Sequence, residues 1–242
     1  MGVRIKDADQ MKVMENVFDD VTLLALYRLV HKKLITAIGG SISTGKEANV
    51  FYGETGGRPV AIKIYRIRSA NFKSMSEYIT GDPRFASVRG TRKELVFAWT
   101  RKEFANLQRA RDAGIPVPEP VAFDRNILLM EFLGADEIPF PQLRAVELPD
   151  PEAVYTDILA MAKRLYREAR LVHGDLSEFN ILYHDRPYLI DLGQAVTPDH
   201  PRAHAFLARD IRNINRFFGR RCEVRDEREI FVDIIGEKRL VP

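Results

Sequence analysis

One cysteine, one tryptophan and no long apolar run set the first bounds on this chain of 242 residues. A lone thiol, Cys222, cannot close an intramolecular disulfide, which excludes a disulfide-stapled scaffold and fits a reducing compartment. No apolar stretch reaches the ~20 residues that span a bilayer. Residues 1–18 carry acidic side chains throughout and no apolar centre, unlike a secretory leader. Charge of one sign is scarce too: 37 Lys and Arg against 34 Asp and Glu leave a formal +3. That is too little to mark a nucleic-acid binder unless the cations cluster, and the local basic bias lies between Arg66 and Lys102. Repeats and low-complexity tracts are absent. The expectation is a soluble cytoplasmic protein with no membrane partner, long enough to bury a substantial core.

Apolar residues Leu23, Leu26, Tyr27, Val30 and Leu34 recur at helical spacing, which predicts a helix over residues 22–38 ended by Gly39 and Gly40, with a shorter helix before it. Residues 48–53 and 60–65 read as two strands around Thr55-Gly56-Gly57-Arg58-Pro59, a hairpin signal. Residues 66–92 show no periodicity and read as a long insert. A helix over 93–113 is stopped by Gly114 and Pro116. Strands at 121–123 and 127–132 flank Asp124-Arg125-Asn126. Asp150-Pro151 caps a helix running to about residue 170. Short strands at 181–183 and 188–190 follow, and helices fill the remainder from Pro201. The pattern predicts an α+β chain: 1–40 as N-terminal helices packed on the rest, 41–132 as a strand-rich lobe with a flexible loop at 66–92, and 133–242 as a helical lobe. A cleft between two lobes is a favoured ligand site.

Three motifs carry chemistry. The strongest is His173-Gly174-Asp175-Leu176-Ser177-Glu178-Phe179-Asn180, followed by Leu189-Ile190-Asp191-Leu192-Gly193. Phosphoryl transfer demands positioning and charge neutralisation more than covalent catalysis. Asp175 can orient an attacking oxygen or accept its proton, and Asn180 and Asp191 are hard oxygen ligands for magnesium. Their order and the Asp-to-Asn spacing match the protein-kinase signature H-R-D-x-x-x-x-N then D-F-G, with Gly174 and Leu192 as departures. Surface turn residues are the bland alternative, and three of them in this order beside short apolar strands argue against it. The second motif is Val60-Ala61-Ile62-Lys63, a strand ending in a candidate phosphate-binding lysine. Its counter-charge must come from the helix over 93–113, where Glu94 and Glu103 lie on opposite faces. Glu103 shares the stripe of Val96, Trp99, Leu107 and Ala110, where an unpaired carboxylate would be costly, so Glu103 is expected to meet Lys63.

The third motif, Ser41-Ile42-Ser43-Thr44-Gly45-Lys46-Glu47-Ala48-Asn49-Val50-Phe51, imitates a Walker A loop. Gly40 to Lys46 fits G-x-x-x-x-G-K, but Glu47 stands where Ser or Thr should bind magnesium, and strand-forming residues follow instead of a helix. A phosphate-covering turn between strands, with Ser43, Thr44 or Lys46 adding side-chain contacts, is the better account.

Taken together, these segments resemble the RIO kinases, an atypical branch of the protein-kinase-like fold, and within it the type 1, archaeal-type form. His200-Pro201 through Phe206-Leu207, then Arg209-Asp210 and Phe217-Phe218, resemble its C-terminal segment. The resemblance implies ATP with Mg2+ (or Mn2+) as cofactors, Lys63 and Glu103 as the ATP-orienting pair, Asp175 as the catalytic aspartate, and Asn180 and Asp191 as metal ligands. It also implies adenine contacts from the backbone of Glu131 to Leu133, behind Met130, and autophosphorylation within 66–92 at Ser69, Ser74, Ser76, Ser87 or a threonine. It further implies serine/threonine kinase activity, ATP hydrolysis through a phosphorylated Asp191, and work on the pre-small-ribosomal-subunit particle, with an rRNA contact. The absence of an A-P-E segment after Asp191 favours the ATP-driven switch over the protein kinase as the main role. The rival is a small-molecule phosphotransferase of the aminoglycoside or choline kinase type, which shares H-G-D-x-x-x-x-N. The 43–49 turn and the C-terminal segment argue against it. His200 and His204, spaced like zinc ligands but split by Pro201, are expected to be surface histidines.

Overall fold

The pairing of strands with one long helix is set by the alternation along the strand that carries Lys63. In the computed structural model, which describes residues 18–67, 72–85 and 91–236, five antiparallel strands lie in the order β1-β2-β3-β5-β4. They are β1 (Ala37–Thr44), β2 (Ala48–Thr55), β3 (Arg58–Tyr65), β4 (Pro120–Asp124) and β5 (Ile127–Glu131). Successive side chains of a strand point to opposite faces. Accordingly Val60, Ile62 and Ile64 of β3 join Ile127 and Leu129 against helix α1 (Asp20–His31), which contributes Ala25, Leu26 and Leu29. Tyr65 and Leu128 belong instead to the main core around the long helix α3 (Arg92–Asp112). The β2–β3 turn falls at Gly56 and Gly57, both at positive φ (54° and 79°), the conformation a two-residue hairpin requires.

Helix α1 departs from the sequence expectation. It stops at His31, and Gly39 and Gly40 lie within β1. Lys33 adopts φ 58°, its N–H donates to the Val30 carbonyl, and the Leu34 N–H donates to the Leu29 carbonyl at 2.9 Å. This is a Schellman termination made by a lysine where glycine is usual. The buried face is Thr22, Ala25, Leu26 and Leu29, while Leu23, Tyr27 and Val30 are exposed. Of the predicted stripe, Leu26 is buried and Leu34 packs against the same cluster, while Leu23, Tyr27 and Val30 face outward. The shorter helix expected before it lies outside the described residues.

The insert also holds more structure than its aperiodic sequence suggested. Helix α2 (Phe72–Ile79) and a 3-10 turn at Pro83–Phe85 lie within it. They are held from outside: Tyr78 stacks on Phe206 with centroids 4.9 Å apart, and Arg84 bonds Asp82 and Asn106. Ser69 and Ser87 lie outside the described residues, Ser74 and Ser76 fall on α2, and the Thr91 hydroxyl caps α3.

A short hairpin, β6 (Gly134–Ala135) with β7 (Ile138–Pro139), leads to the helical half. That half comprises α4 (Pro151–Arg167), a hairpin of β8 (Ile181–Tyr183) and β9 (Pro187–Leu189), α5 (Ala203–Phe218) and α6 (Glu227–Ile235). Asp150 caps α4 through the Ala153 N–H at 3.0 Å, as its Asp-Pro start predicts. His200 is a correction: it is buried, not superficial, with Nε2 against the Thr80 carbonyl at 3.0 Å and Nδ1 accepting the Arg202 N–H. His204 is exposed.

Asn126, fully buried in the β4–β5 turn, ties the sheet to α1. Its Nδ2 donates to Thr22 Oγ1 at 2.8 Å and to the Tyr65 carbonyl at 2.9 Å. Replacing Asn126 by Ala leaves both acceptors without that donor, and a loss of about 2–3 kcal/mol is expected from equilibrium urea unfolding.

Candidate active site

The site is assembled where β3, α3 and the segments after α4 meet. Lys63 is buried on the α3 side of β3, and its Nζ donates to Glu103 Oε1 at 2.8 Å. The same ammonium donates to Asp191 Oδ1. Glu103 Oε2 accepts the Tyr65 hydroxyl, two residues along the same strand face. Both oxygens of this buried carboxylate are thus engaged, as burial of a charge demands. Glu94 is elsewhere: it closes a capping box with Thr91 at the start of α3. Glu103, not Glu94, is the glutamate that meets Lys63.

Asp191 sits at φ 64°, ψ 52°, a left-handed turn that few side chains adopt, directly before a 3-10 turn over Leu192–Gln194. Its side chain remains 51% exposed. Lys63 holds the Asp191 carboxyl below its usual range. Burial pulls Lys63 down, but Asp191 and Glu103 outweigh it and hold the ammonium well above its ordinary value. Asp175 and Asn180 form the second pair, with Asn180 Nδ2 donating to the Asp175 carbonyl at 2.8 Å and to its carboxylate at 3.0 Å. Burial raises the Asp175 pKa, against the opposing pull of Asn180 and Arg209.

Several supporting residues escaped the sequence reading. Buried Asp210 of α5 accepts the Gly174 N–H at 2.8 Å and the Leu176 N–H at 2.9 Å, bracketing Asp175. Burial pushes its carboxyl up to about 7. Arg209 donates to the Gly174 carbonyl and to the Tyr78 hydroxyl. Gly174 has φ +79°, and a Cβ there would approach the Gln194 carbonyl to 3.0 Å, which accounts for glycine in place of the kinase arginine. On α3, fully buried Lys102 donates to the carbonyls of Gly193 (2.7 Å) and Ala195 (2.6 Å). Asn106 donates to those of Leu192 (2.8 Å) and Ala195 (3.0 Å). One signal was available for Asp210: an aspartate on the apolar face shared by Phe206, Leu207, Ile211 and Ile214.

The remaining predicted residues lie around this centre. Ser43 and Thr44 end β1, and Lys46 is exposed in the turn that follows. Ser43 pairs with Val50, which pairs with Lys63, so the turn sits two strands from the lysine. Glu47 reaches the cluster electrostatically: burial raises its pKa, and Asp191 adds to the rise. Glu131 lies toward the other end of the pairing, opposite Val60, while Lys63 is opposite Leu128. The Leu133 carbonyl accepts the Phe140 N–H at 2.9 Å.

A sheet with one ion-paired helix, set on a helical half that presents Asp175, Asn180 and Asp191, defines the two-lobed protein-kinase-like fold. Residues 49–230 match the RIO domain, and the chain belongs to that family. It is 47% identical to the RIO-type serine/threonine-protein kinase Rio1 of Haloferax volcanii, over 98% of this chain and 82% of the relative. It is 42% identical to the human serine/threonine-protein kinase RIO1 over 94% of this chain, although it spans only 41% of that protein. Among solved structures, the Rio2 kinase ADP/Mg2+-phosphoaspartate complex of Chaetomium thermophilum superposes with a TM-score of 0.70 at 28% identity, covering 88% of this chain and 66% of that one.

Two outcomes follow. Glu103→Gln is expected to lower kcat/KM for phosphoryl transfer ~10–100-fold through loss of Lys63 positioning, whereas Glu94→Gln, which keeps a capping-box acceptor, costs no more than about 0.5 kcal/mol of stability. His173 is buried beside the Ile190 carbonyl, and burial lowers its pKa from 6.5 to about 4. The unfolded chain binds that proton more readily, so this contribution to stability is complete above pH 6.5 and is lost as pH falls through about 4. Thermal midpoints of wild type and His173→Gln between pH 7 and 4 should converge toward the acid end.

Proposed function

We propose that this chain is a Mg2+-ATP-dependent phosphotransferase, acting as a type 1 RIO-like serine/threonine protein kinase and ATPase. The observation that carries the proposal is the buried Lys63 ammonium held between Glu103 and Asp191, with the Asp175–Asn180 pair completing the set. In this reading Lys63 directs its N–H groups at the nucleotide phosphates, and Glu103 and Tyr65 keep it from turning away. Asp175 orients the attacking hydroxyl or water and takes its proton. The oxygen–phosphorus bond to that acceptor forms as the β–γ bridge breaks and ADP leaves.

The residues fit a magnesium ion. Asp191 offers a half-exposed carboxylate kept in its charged form. Asn180 commits its NH2 group to Asp175, so its oxygen is the end left to face a cation. Two such oxygens are a usual protein share for magnesium, and Asp191 and Asn180 would hold the ion against the nucleotide phosphates. When bound, the ion neutralises phosphate charge and aligns the γ-phosphoryl group. Ser43, Thr44 and Lys46 would cover the phosphates, and the backbone of Glu131 to Leu133 would meet adenine.

The acceptor can be a protein serine or threonine, a residue of 66–92, or Asp191 itself. The ADP/Mg2+-phosphoaspartate complex of the Rio2 kinase favours the last. From Asp191 the chain passes through one 3-10 turn and a single bridge, Val172 with Val196, before α5. That leaves little of the platform on which protein kinases lay a peptide. We therefore favour ATP-driven switching, on the pre-small-ribosomal-subunit particle in the cytoplasm, as the main role.

The test is incubation with γ-labelled ATP and Mg2+, with and without pre-ribosomal particles. Hydroxylamine-labile label with turnover, absent in Asp191→Asn, is the expected outcome. Acid-stable label on Ser or Thr would make the kinase role dominant. Asp175→Ala should lower either activity at least ~100-fold, and unchanged ATP turnover in both variants would sink the assignment.

A further inference from the structure

The catalytic-loop segment between Asp175 and Asn180 faces outward onto a basic hollow that the phosphotransfer chemistry does not use. A cavity of about 350 Å3 is lined by Arg144, Glu178, Arg216, Phe217, Arg220 and Arg221. Four exposed guanidiniums thus face one carboxylate, and among the described residues none of the four is ion-paired. Four such cations at one spot raise the local positive potential and so favour the approach of an anion. Arg144, Arg216 and Arg221 are nonetheless steered by neutral acceptors. Arg144 Nε donates to Gln142 Oε1 at 2.8 Å, Arg216 to Asn213 Oδ1 at 3.1 Å and Arg221 to the Phe217 carbonyl at 2.7 Å. These bonds orient the side chains without neutralising them.

The hollow is built onto the catalytic loop. The Arg144 N–H donates to the Glu178 carbonyl, and Gln142 Nε2 donates to the Phe179 carbonyl at 2.9 Å. Phe179 is 47% exposed, and the Arg144 guanidinium lies 4.8 Å from its ring centre. An exposed ring beside a cluster of arginines is a surface suited to a chain that is both acidic and partly apolar. Glu178, which lines the hollow, belongs to the loop between Asp175 and Asn180, so the hollow is joined to the catalytic loop.

We propose that the surface formed by Arg144, Phe179, Arg216, Arg220 and Arg221 docks an acidic segment of a protein acceptor and thereby selects substrates with Asp or Glu beside the phosphorylated hydroxyl. This rests on the phosphotransferase reading above and names a substrate class for its kinase arm. A protein is favoured over single-stranded nucleic acid by the state of the aromatic rings. Nucleic acid is held by successive bases stacked on open faces. Here Phe179 is one exposed ring, and the ring that lines the hollow, Phe217, is buried with the Arg221 guanidinium 3.8 Å from its centre, so the lining residues offer no row of open faces.

The test uses the full chain and three fluorescein-labelled probes: a decapeptide with one Ser flanked by Asp and Glu, its Asn/Gln counterpart, and a single-stranded decaribonucleotide. Fluorescence anisotropy at moderate salt should show the acidic peptide bound at least ~10-fold more tightly than the neutral one. Arg216→Glu/Arg220→Glu should abolish that difference. Arg220→Glu alone, at an exposed side chain, serves if the double variant does not fold. Equal binding of the two peptides, or an unchanged preference in the charge-reversed variants, overturns the proposal. Tighter binding of the ribonucleotide, lost in the same variants, overturns it in favour of a nucleic-acid surface. Labelling of the same peptides with γ-labelled ATP separates the two claims. Acidic-peptide binding without any transfer or ATP turnover would remove the phosphotransferase reading, whereas transfer without acidic preference would remove only the docking surface.

Discussion

A lysine ammonium buried between two carboxylates is the constraint around which the rest of this molecule is arranged. Removing Lys63 from water is unfavourable unless its charge is matched and its donors are satisfied. Glu103 on α3 and Asp191 on the segment after β9 supply the match from two different parts of the chain. The ion pairs therefore act as a registration device. They hold β3, α3 and the segment beginning at Asp191 in one arrangement, because displacement of any of them strands a charge in the interior. Tyr65 tightens the device by occupying the second oxygen of Glu103.

The same helix secures the segment twice more. Lys102 and Asn106 on α3 gather the carbonyls of Leu192, Gly193 and Ala195. Glu103 thus faces Lys63 while its neighbour faces the turn behind Asp191. A Cβ on Gly193 would come within 2.7 Å of Trp99 Nε1, so close approach of helix and turn depends on glycine there. Swinging α3 outward would break the Lys63 pair and expose these four carbonyl contacts together. An arrangement of this kind is fixed by packing, which agrees with the short passage from Asp191 to α5.

Much of this was legible in the sequence because the relevant signals are local. The cap at Asp150 and the Gly56-Gly57 turn each act within a few residues. The choice of Glu103 over Glu94 follows from helical phase alone. The failures have separate causes. The end of α1 was misplaced because a lysine takes the left-handed position, and the strand β1 that follows, Ala-Ile-Gly-Gly-Ser-Ile-Ser-Thr, is nearly all exposed and so lacks hydrophobic alternation. Helix α2 was missed because its order comes from Phe206 and Arg209, more than a hundred residues away in the chain.

Asp210 shows why the supporting shell is harder to read than the site itself. Its carboxylate holds the two N–H groups that flank Asp175, so the loop's geometry is imposed from α5 rather than by the loop's own residues. Burial raises its pKa, and the two N–H groups it accepts oppose that rise, so the bracket itself helps to keep the carboxylate charged. Nothing in the motif around Asp175 announces such a partner. What the sequence contains is a polar residue on an otherwise apolar helix face, a pattern that is costly unless a partner waits across the core. Glu103 carries the same mark on α3. In this fold the residues that break an amphipathic pattern are those that reach across from one element to fix the chemistry of another.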